Sequence, residues 1–154
     1  NKGTSFTLTV ERRYAPNTAT KAPVSEENDP VGFLSGKHIV VIDNDLQVLE
    51  AMRQLMSNWG GKATCVTDET RLLDVPDDIP DLILADFHLD HGHTGVKAVE
   101  TLFGIWSKSV PTILNSANYN EDIRQQAIDQ GFAFLNKPLK AGTLKKAMKR
   151  ALGM

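Results

Sequence analysis

The sequence predicts a doubly wound α/β domain built on a parallel sheet. Three observations carry that reading. Short apolar runs with little polar alternation stand at residues 39–42, 63–66, 82–85, 110–114 and 132–135, the pattern of strands buried on both faces. The gaps between the runs are long enough for crossover helices. Four of the runs then end abruptly in residues able to do chemistry. These are Asp43, Asn44 and Asp45; Asp86; Asn115 and Ser116; and Asn136, Lys137 and Pro138. In open α/β sheets the ligand crevice lies at the carboxyl ends of the strands, so these four endings should face one another.

The bulk numbers agree with one ordinary globular domain. The chain has 154 residues, 41% of them hydrophobic and 23% charged, enough for a full core. A formal net charge of −2 gives no basic excess for nucleic acid, and nucleic acid is not expected as a partner. The single Cys65 excludes an internal disulfide and fits a reducing, cytoplasmic compartment. No apolar run is long enough to span a bilayer, so no membrane contact is expected of this segment.

Taken in order, residues 1–13 alternate Phe6, Leu8 and Val10 with Thr7 and Thr9, a strand pattern of period two. Residues 14–36 carry Pro16, Pro23 and Pro30 among Ala, Ser, Thr and acids, the composition of a linker. Within that stretch GFLSGK imitates a phosphate-binding loop. It is one residue short between its glycines, and His38 stands where Ser or Thr is required, so we reject it. The domain proper is expected over 37–154. Leu49, Met52, Leu55, Met56 and Trp59 recur at helical spacing, and Gly60 and Gly61 end that helix. Cys65 falls in the second strand, where a small buried hydrophobe is its default role. A short helix around Leu72 and Leu73 is expected over 67–75, followed by an acidic loop over 76–80.

Beyond Asp86 runs a loop with His88, Asp90, His91 and His93. Its histidine spacing matches no standard metal site, and it offers no packed helix to orient the rings. A solvated loop is expected. Gly95 then opens a helix with Val96, Val99, Leu102 and Phe103 inward, ending near Trp106. Asn120 is the expected N-cap of a polar helix over 121–130, whose exposed face is a candidate partner surface. The last helix follows Thr143, with Leu144, Ala147, Met148, Ala151 and Leu152 inward. Lys145, Lys146, Lys149 and Arg150 face out and suit a helix C-terminus electrostatically.

Converging carboxylates make a site for a hard divalent cation, and a hydroxyl and a lysine beside them would hold phosphoryl oxygens. With Asp43 in VIDND, Asp86 in LILADF, Ser116 in ILNSA and Lys137-Pro138 in FLNKP, in that order over about residues 36–152, the chain resembles the receiver domain of two-component response regulators. The resemblance implies a flavodoxin-like fold with five parallel strands in the order 2-1-3-4-5. It implies that Asp86 accepts a phosphoryl group from a histidine kinase, or from a kinase domain of its own parent chain. A histidine phosphotransfer protein is a further partner it allows. Mg²⁺ would be bound by Asp43, Asn44, Asp86 and the backbone carbonyl of His88. Ser116 and Lys137 would sense the phosphoryl group, and the Lys137–Pro138 peptide would be cis. The side chains of His88 and Asn118 stand where the family tunes phosphoryl lifetime, and Phe134 where it carries a switch aromatic. Ordinary strand core is an equal reading for Phe134.

Residues 1–13, with Gly3, Thr4 and Phe6, resemble the last strand of a histidine kinase ATP-binding domain. This suggests the C-terminal receiver of a hybrid kinase. The receiver part would then catalyse only its own phosphorylation and dephosphorylation. The chain departs from the family at Asn44, where a second acid usually ligates the metal; Asp45 could turn inward instead. That departure keeps open a degenerate receiver that docks partners without phosphorylation. A flavin-binding domain of the same topology is disfavoured, because the crevice acids would repel the flavin phosphate.

Overall fold

A computed structural model describes residues 32–67, 71, 78–118 and 120–154. Five strands, β1 (His38–Ile42), β2 (Lys62–Val66), β3 (Leu82–Asp86), β4 (Thr112–Ser116) and β5 (Ala133–Asn136), form one parallel sheet in the order β2-β1-β3-β4-β5. Among the described residues there are four α-helices: α1 (Leu46–Asn58), α2 (Gly95–Trp106), α3 (Glu121–Asp129) and α4 (Ala141–Ala151). The expected strand order and parallel sheet are therefore observed. The strand expected in 1–13 and the linker up to residue 31 lie outside the described residues, and so does nearly all of the helix expected over 67–75.

The two faces of the sheet carry separate cores, and strand alternation sorts the side chains between them. Val40, Ile42, Ile83, Ala85 and Leu114 pack with Val96, Val99 and Leu102 of α2. Ile39, Val41, Leu82, Leu84 and Ile113 pack with Met52 and Met56 of α1 and with Leu144 and Met148 of α4. Continuing that alternation past the apolar runs puts Asp43, Asp86, Asn115 and Lys137 on the α1 and α4 face. The crevice thus opens above one core.

Local chemistry fixes most helix ends. The Asp45 carboxylate accepts from the N–H groups of Gln47 and Val48 and caps α1. Gly60, at φ 85°, turns the chain into β2 as α1 ends. Thr94 and Asn120 cap α2 and α3 through their side chains. Helix α4 begins at Ala141, earlier than expected, with Lys140 at the cap and no side-chain cap bond. Buried Leu139 and Leu144 anchor that end, so tertiary packing does the work a capping residue would do.

The last part of the stretch read as linker, residues 32–36, packs on the domain. Leu34 is fully buried in the α1 and α4 core, and its N–H donates to the Trp59 carbonyl at 2.9 Å. Phe33 meets Trp59 with ring centroids 5.1 Å apart. Lys145 and Lys149 sit over the Phe33 ring at 5.4 and 5.6 Å, so the outward basic face of α4 is partly an anchor for this segment. A Cβ on residue 32 would come within 2.1 Å of the Trp59 carbonyl oxygen, which explains glycine there.

Leu34→Ala should lower stability by about 2–4 kcal/mol, the range for emptying a packed leucine site. Denaturant unfolding of the two proteins checks this. A loss under about 0.5 kcal/mol, the size of an ordinary surface change, would show that residues 32–36 do not belong to the folded unit.

Candidate functional site

Three strand ends bring three charges together. The Lys137 ammonium donates to Asp43 Oδ2 at 3.3 Å and to Asp86 Oδ2 at 3.1 Å. All three side chains are largely out of water, with 12%, 3% and 9% of the Lys137, Asp43 and Asp86 side chains exposed. Each carboxylate uses its other oxygen for a backbone donor. Asp43 Oδ1 accepts from the Asp45 N–H at 2.9 Å, and Asp86 Oδ1 from the His88 N–H at 3.3 Å. Both acids are therefore held at both oxygens, with Oδ2 turned to the common cation.

The charges do not cancel. Two carboxylates share one ammonium, leaving a buried excess of one negative charge. Burial pushes the Asp43 carboxyl above its ordinary range, against the pull of Lys137, and the nearby Asp86 charge adds to the push. For Lys137, burial lowers proton affinity, but the two acids outweigh it and hold the ammonium above its ordinary range. For Asp43 burial wins over the shared cation, and for Lys137 the two acids win over burial.

Backbone geometry keeps these groups in place. Gly95 lets the start of α2 close on the end of β3, since a Cβ there would fall 2.1 Å from the Asp86 carbonyl oxygen. The Lys137–Pro138 peptide is cis, and the Lys137 N–H donates to the Ser116 carbonyl at 2.9 Å. That bond seats the lysine beside the end of β4, from which its side chain crosses toward β3 and β1.

The remaining expected residues are arranged differently. Ser116 is fully buried, and its hydroxyl accepts from the Asn118 N–H at 3.2 Å rather than joining the charged triad. The Asn44 amide nitrogen is engaged elsewhere, with Nδ2 donating to Asp90 Oδ1 at 2.7 Å. Asp45 is committed to capping α1, so it does not replace the acid missing at position 44. His88 is exposed and pairs with Thr94 through a backbone bridge, with its ring edge against Phe87. Phe134 is half-buried against the α2-side core and lines an open groove of ≈ 810 Å³ between α3, β5 and α4, together with Arg124, Ile128, Lys146 and Arg150.

Two residues stand out here for which the sequence alone indicates no specific part in the site. Asn115 lies opposite Asp86 in the β3–β4 register and is 4% exposed, with no hydrogen-bond partner for its Oδ1 among the described residues. A polar residue inside an otherwise apolar strand run was the available signal. Asp90 was noted only as part of a solvated loop.

Among the described residues, no three His, Cys, Asp or Glu side chains gather around one point. The donors available to a cation are two carboxylates, the Asn44 amide and backbone carbonyls. These are hard oxygen donors carrying a net negative charge, and they fit a small hard cation rather than a soft transition metal.

The sequence profile of the response regulator receiver domain matches residues 39–149. This chain belongs to the response regulator receiver family. Solved structures agree with the receiver fold. A response regulator receiver protein from Burkholderia phymatum is 28% identical, with a TM-score of 0.66, over 77% of this chain and 96% of its own. Receiver proteins from Clostridium thermocellum and Methanospirillum hungatei JF-1 are 20% and 18% identical with TM-scores of 0.66 and 0.67, each over 76% of this chain and 94% of theirs. At those identities the last two speak for the fold alone. No curated protein matches the chain. As a receiver, the domain is part of two-component signal transduction. Among the described residues no helix is long and apolar enough to cross a membrane.

Replacing Lys137 with Met should destabilise this receiver by on the order of 3 kcal/mol at pH 7.5, because two buried carboxylates lose their cation. Without it, the buried Asp43 carboxyl, already above its ordinary range, loses the pull that opposed burial, so its folded-state proton affinity stands further above the unfolded one. The folded state then binds more protons, so stability should recover as pH falls toward 5. Urea unfolding of Lys137→Met at both pH values checks the sign. A loss of equal size at both, or none, would contradict the charge account.

Proposed function

We propose that this receiver takes a phosphoryl group onto Asp86 from a phosphohistidine, with Mg²⁺ held by Asp43, Asp86, Asn44 and the His88 backbone carbonyl. The observation that carries the proposal is the Lys137 ammonium shared between two buried acids at the carboxyl edge of the sheet. Such a cation can leave Asp86 for an arriving phosphoryl oxygen without becoming unpaired, because Asp43 still faces it.

An Asp86 carboxylate oxygen attacks phosphorus, the Asp86 O–P bond forms, and the P–N bond to the donor imidazole breaks. The bonding pair leaves with the imidazole nitrogen. Lys137 then pairs with the transferred group through a charge-assisted contact. Bound Mg²⁺ supplies positive charge against the phosphoryl oxygens. The Ser116 hydroxyl exchanges its Asn118 contact for the phosphoryl group, and the half-buried Phe134 repacks as the switch aromatic. By the family resemblance, the side chains of His88 and Asn118 set how easily water reaches the acceptor.

The donor approaches over a rim on which Leu46, the first residue of α1, is 70% exposed. A kinase or a histidine phosphotransfer protein fits that approach. The similarity of residues 1–13 to a kinase strand supports a parent histidine kinase as the donor, and a single half-buried cysteine suits a cytoplasmic setting.

Incubation with acetyl phosphate and Mg²⁺ should add one phosphoryl mass to the intact chain, and Asp86→Asn should add none. Unchanged uptake by Asp86→Asn would move the acceptor elsewhere. The neutral amide of Asn44, where a second acid usually stands, favours one other reading, a receiver that docks without phosphorylation. Failure of the wild type to gain mass with any small phosphodonor would select it.

A further inference from the structure

Asn44 occupies the position where an acid would add a negative charge to the crevice, and the structure puts a carboxylate one hydrogen bond away. Asn44 Nδ2 donates to Asp90 Oδ1 at 2.7 Å. Asp90 opens the 3-10 turn Asp90–Gly92 in the loop between β3 and α2. A deprotonated carboxylate only accepts, so this contact assigns the amide: nitrogen faces Asp90, and Oδ1 is the end left for the crevice. We infer that Asp90 is a positioning residue for the metal site, orienting the Asn44 amide oxygen toward Asp43 and Asp86 and strengthening it as a donor.

A simple loop tether explains the contact less well. The loop is already closed on itself by Leu89 N–H to the His93 carbonyl at 3.0 Å, His93 N–H to the Asp90 carbonyl at 3.2 Å and the His88–Thr94 bridge. It needs nothing from β1 to hold its shape. The Asn44 contact instead joins this loop to the end of β1, so that the residues after β1 and β3 are tied into one rim of the crevice. Chemically, an amide whose N–H donates to a carboxylate carries more negative charge on its oxygen. Partners one bond behind a ligand tune metal affinity in this way. The charge missing at position 44 is thereby returned at one remove, where it repels Asp43 and Asp86 less than a third carboxylate among them would.

The inference rests on the Mg²⁺ site proposed above, and the test separates the two. Mg²⁺ affinity is measured by calorimetry, at fixed pH and ionic strength, for the wild type, Asp90→Ala, Asp90→Asn, Asn44→Ala and the Asn44→Ala/Asp90→Ala double variant. The Asn44 side-chain amide is followed by NMR without metal. Asp90→Ala should weaken Mg²⁺ about tenfold and shift the Asn44 amide signals. Asp90→Asn keeps the orienting acceptor while losing the polarising charge, and should fall between wild type and Asp90→Ala, about threefold weaker than wild type. In the Asn44→Ala background, removing Asp90 should cost no more than that. An Asp90→Ala affinity equal to wild type would overturn the inference. So would Asp90→Asn as weak as Asp90→Ala, or an undiminished Asp90 effect without Asn44, since each marks a through-space charge. In any of these cases the wild type still binds Mg²⁺ and the site stands. A wild type that takes up no Mg²⁺ at tens of millimolar, far weaker than metal sites of this kind, rejects the site and the inference together.

Discussion

One ammonium shared by two buried carboxylates is the interaction on which the rest of the domain depends. Lys137 reaches Asp43 and Asp86 only if β5, β3 and β1 end at one level, and parallel pairing through β4 sets that level. Gly95 lets α2 close against the Asp86 carbonyl, and Asp45 both caps α1 and donates its N–H to Asp43. The two sheet faces keep water from the strand bodies, so the charges meet in a medium where they are strongly felt. The arrangement is tightly paired yet short by one positive charge, which is a reason to bind a cation and not only a way to rest.

Much of this was legible in the sequence because the relevant signals are local. A strand buried on both faces must be apolar throughout, so the runs before Asp43, Asp86 and Ser116 announce themselves, and a polar residue at the end of each marks the crevice. Parallel topology then brings the ends together, which puts Lys137 at the same edge as Asp43 and Asp86. Helix stops at Gly60 and starts at Asn120 rest on backbone chemistry that composition reveals.

What stayed hidden depends on contacts between distant segments. Phe33 and Leu34 sit among Gly, Ser and Pro and look like linker, and only the Trp59 carbonyl and the α4 lysines show them to be packed. The start of α4 is set by buried Leu139 and Leu144, without a capping side chain to read. Which end of the Asn44 amide is held outside the acid pair is decided by Asp90, 46 residues away, and no local pattern encodes it. Ser116 was placed at the right strand end, but its hydroxyl engages Asn118, because a buried hydroxyl takes the nearest donor. Asn115 has a buried oxygen with no partner among the described residues, an arrangement that costs about 1–3 kcal/mol. Natural sequences tend to keep such costs beside functional sites, and its place opposite Asp86 fits that tendency.

The central claim is that Lys137 remains charged between two acids that together outweigh it. The direct measurement is an NMR pH titration of the Lys137 Cε and Asp43 Cγ resonances in the metal-free protein. The account predicts that Lys137 loses its proton at higher pH than the exposed lysines of the same chain, and that Asp43 gains one at higher pH than an ordinary carboxylate. A Lys137 that titrates with or below the exposed lysines would mean that burial, not the acid pair, governs it, and would contradict the account.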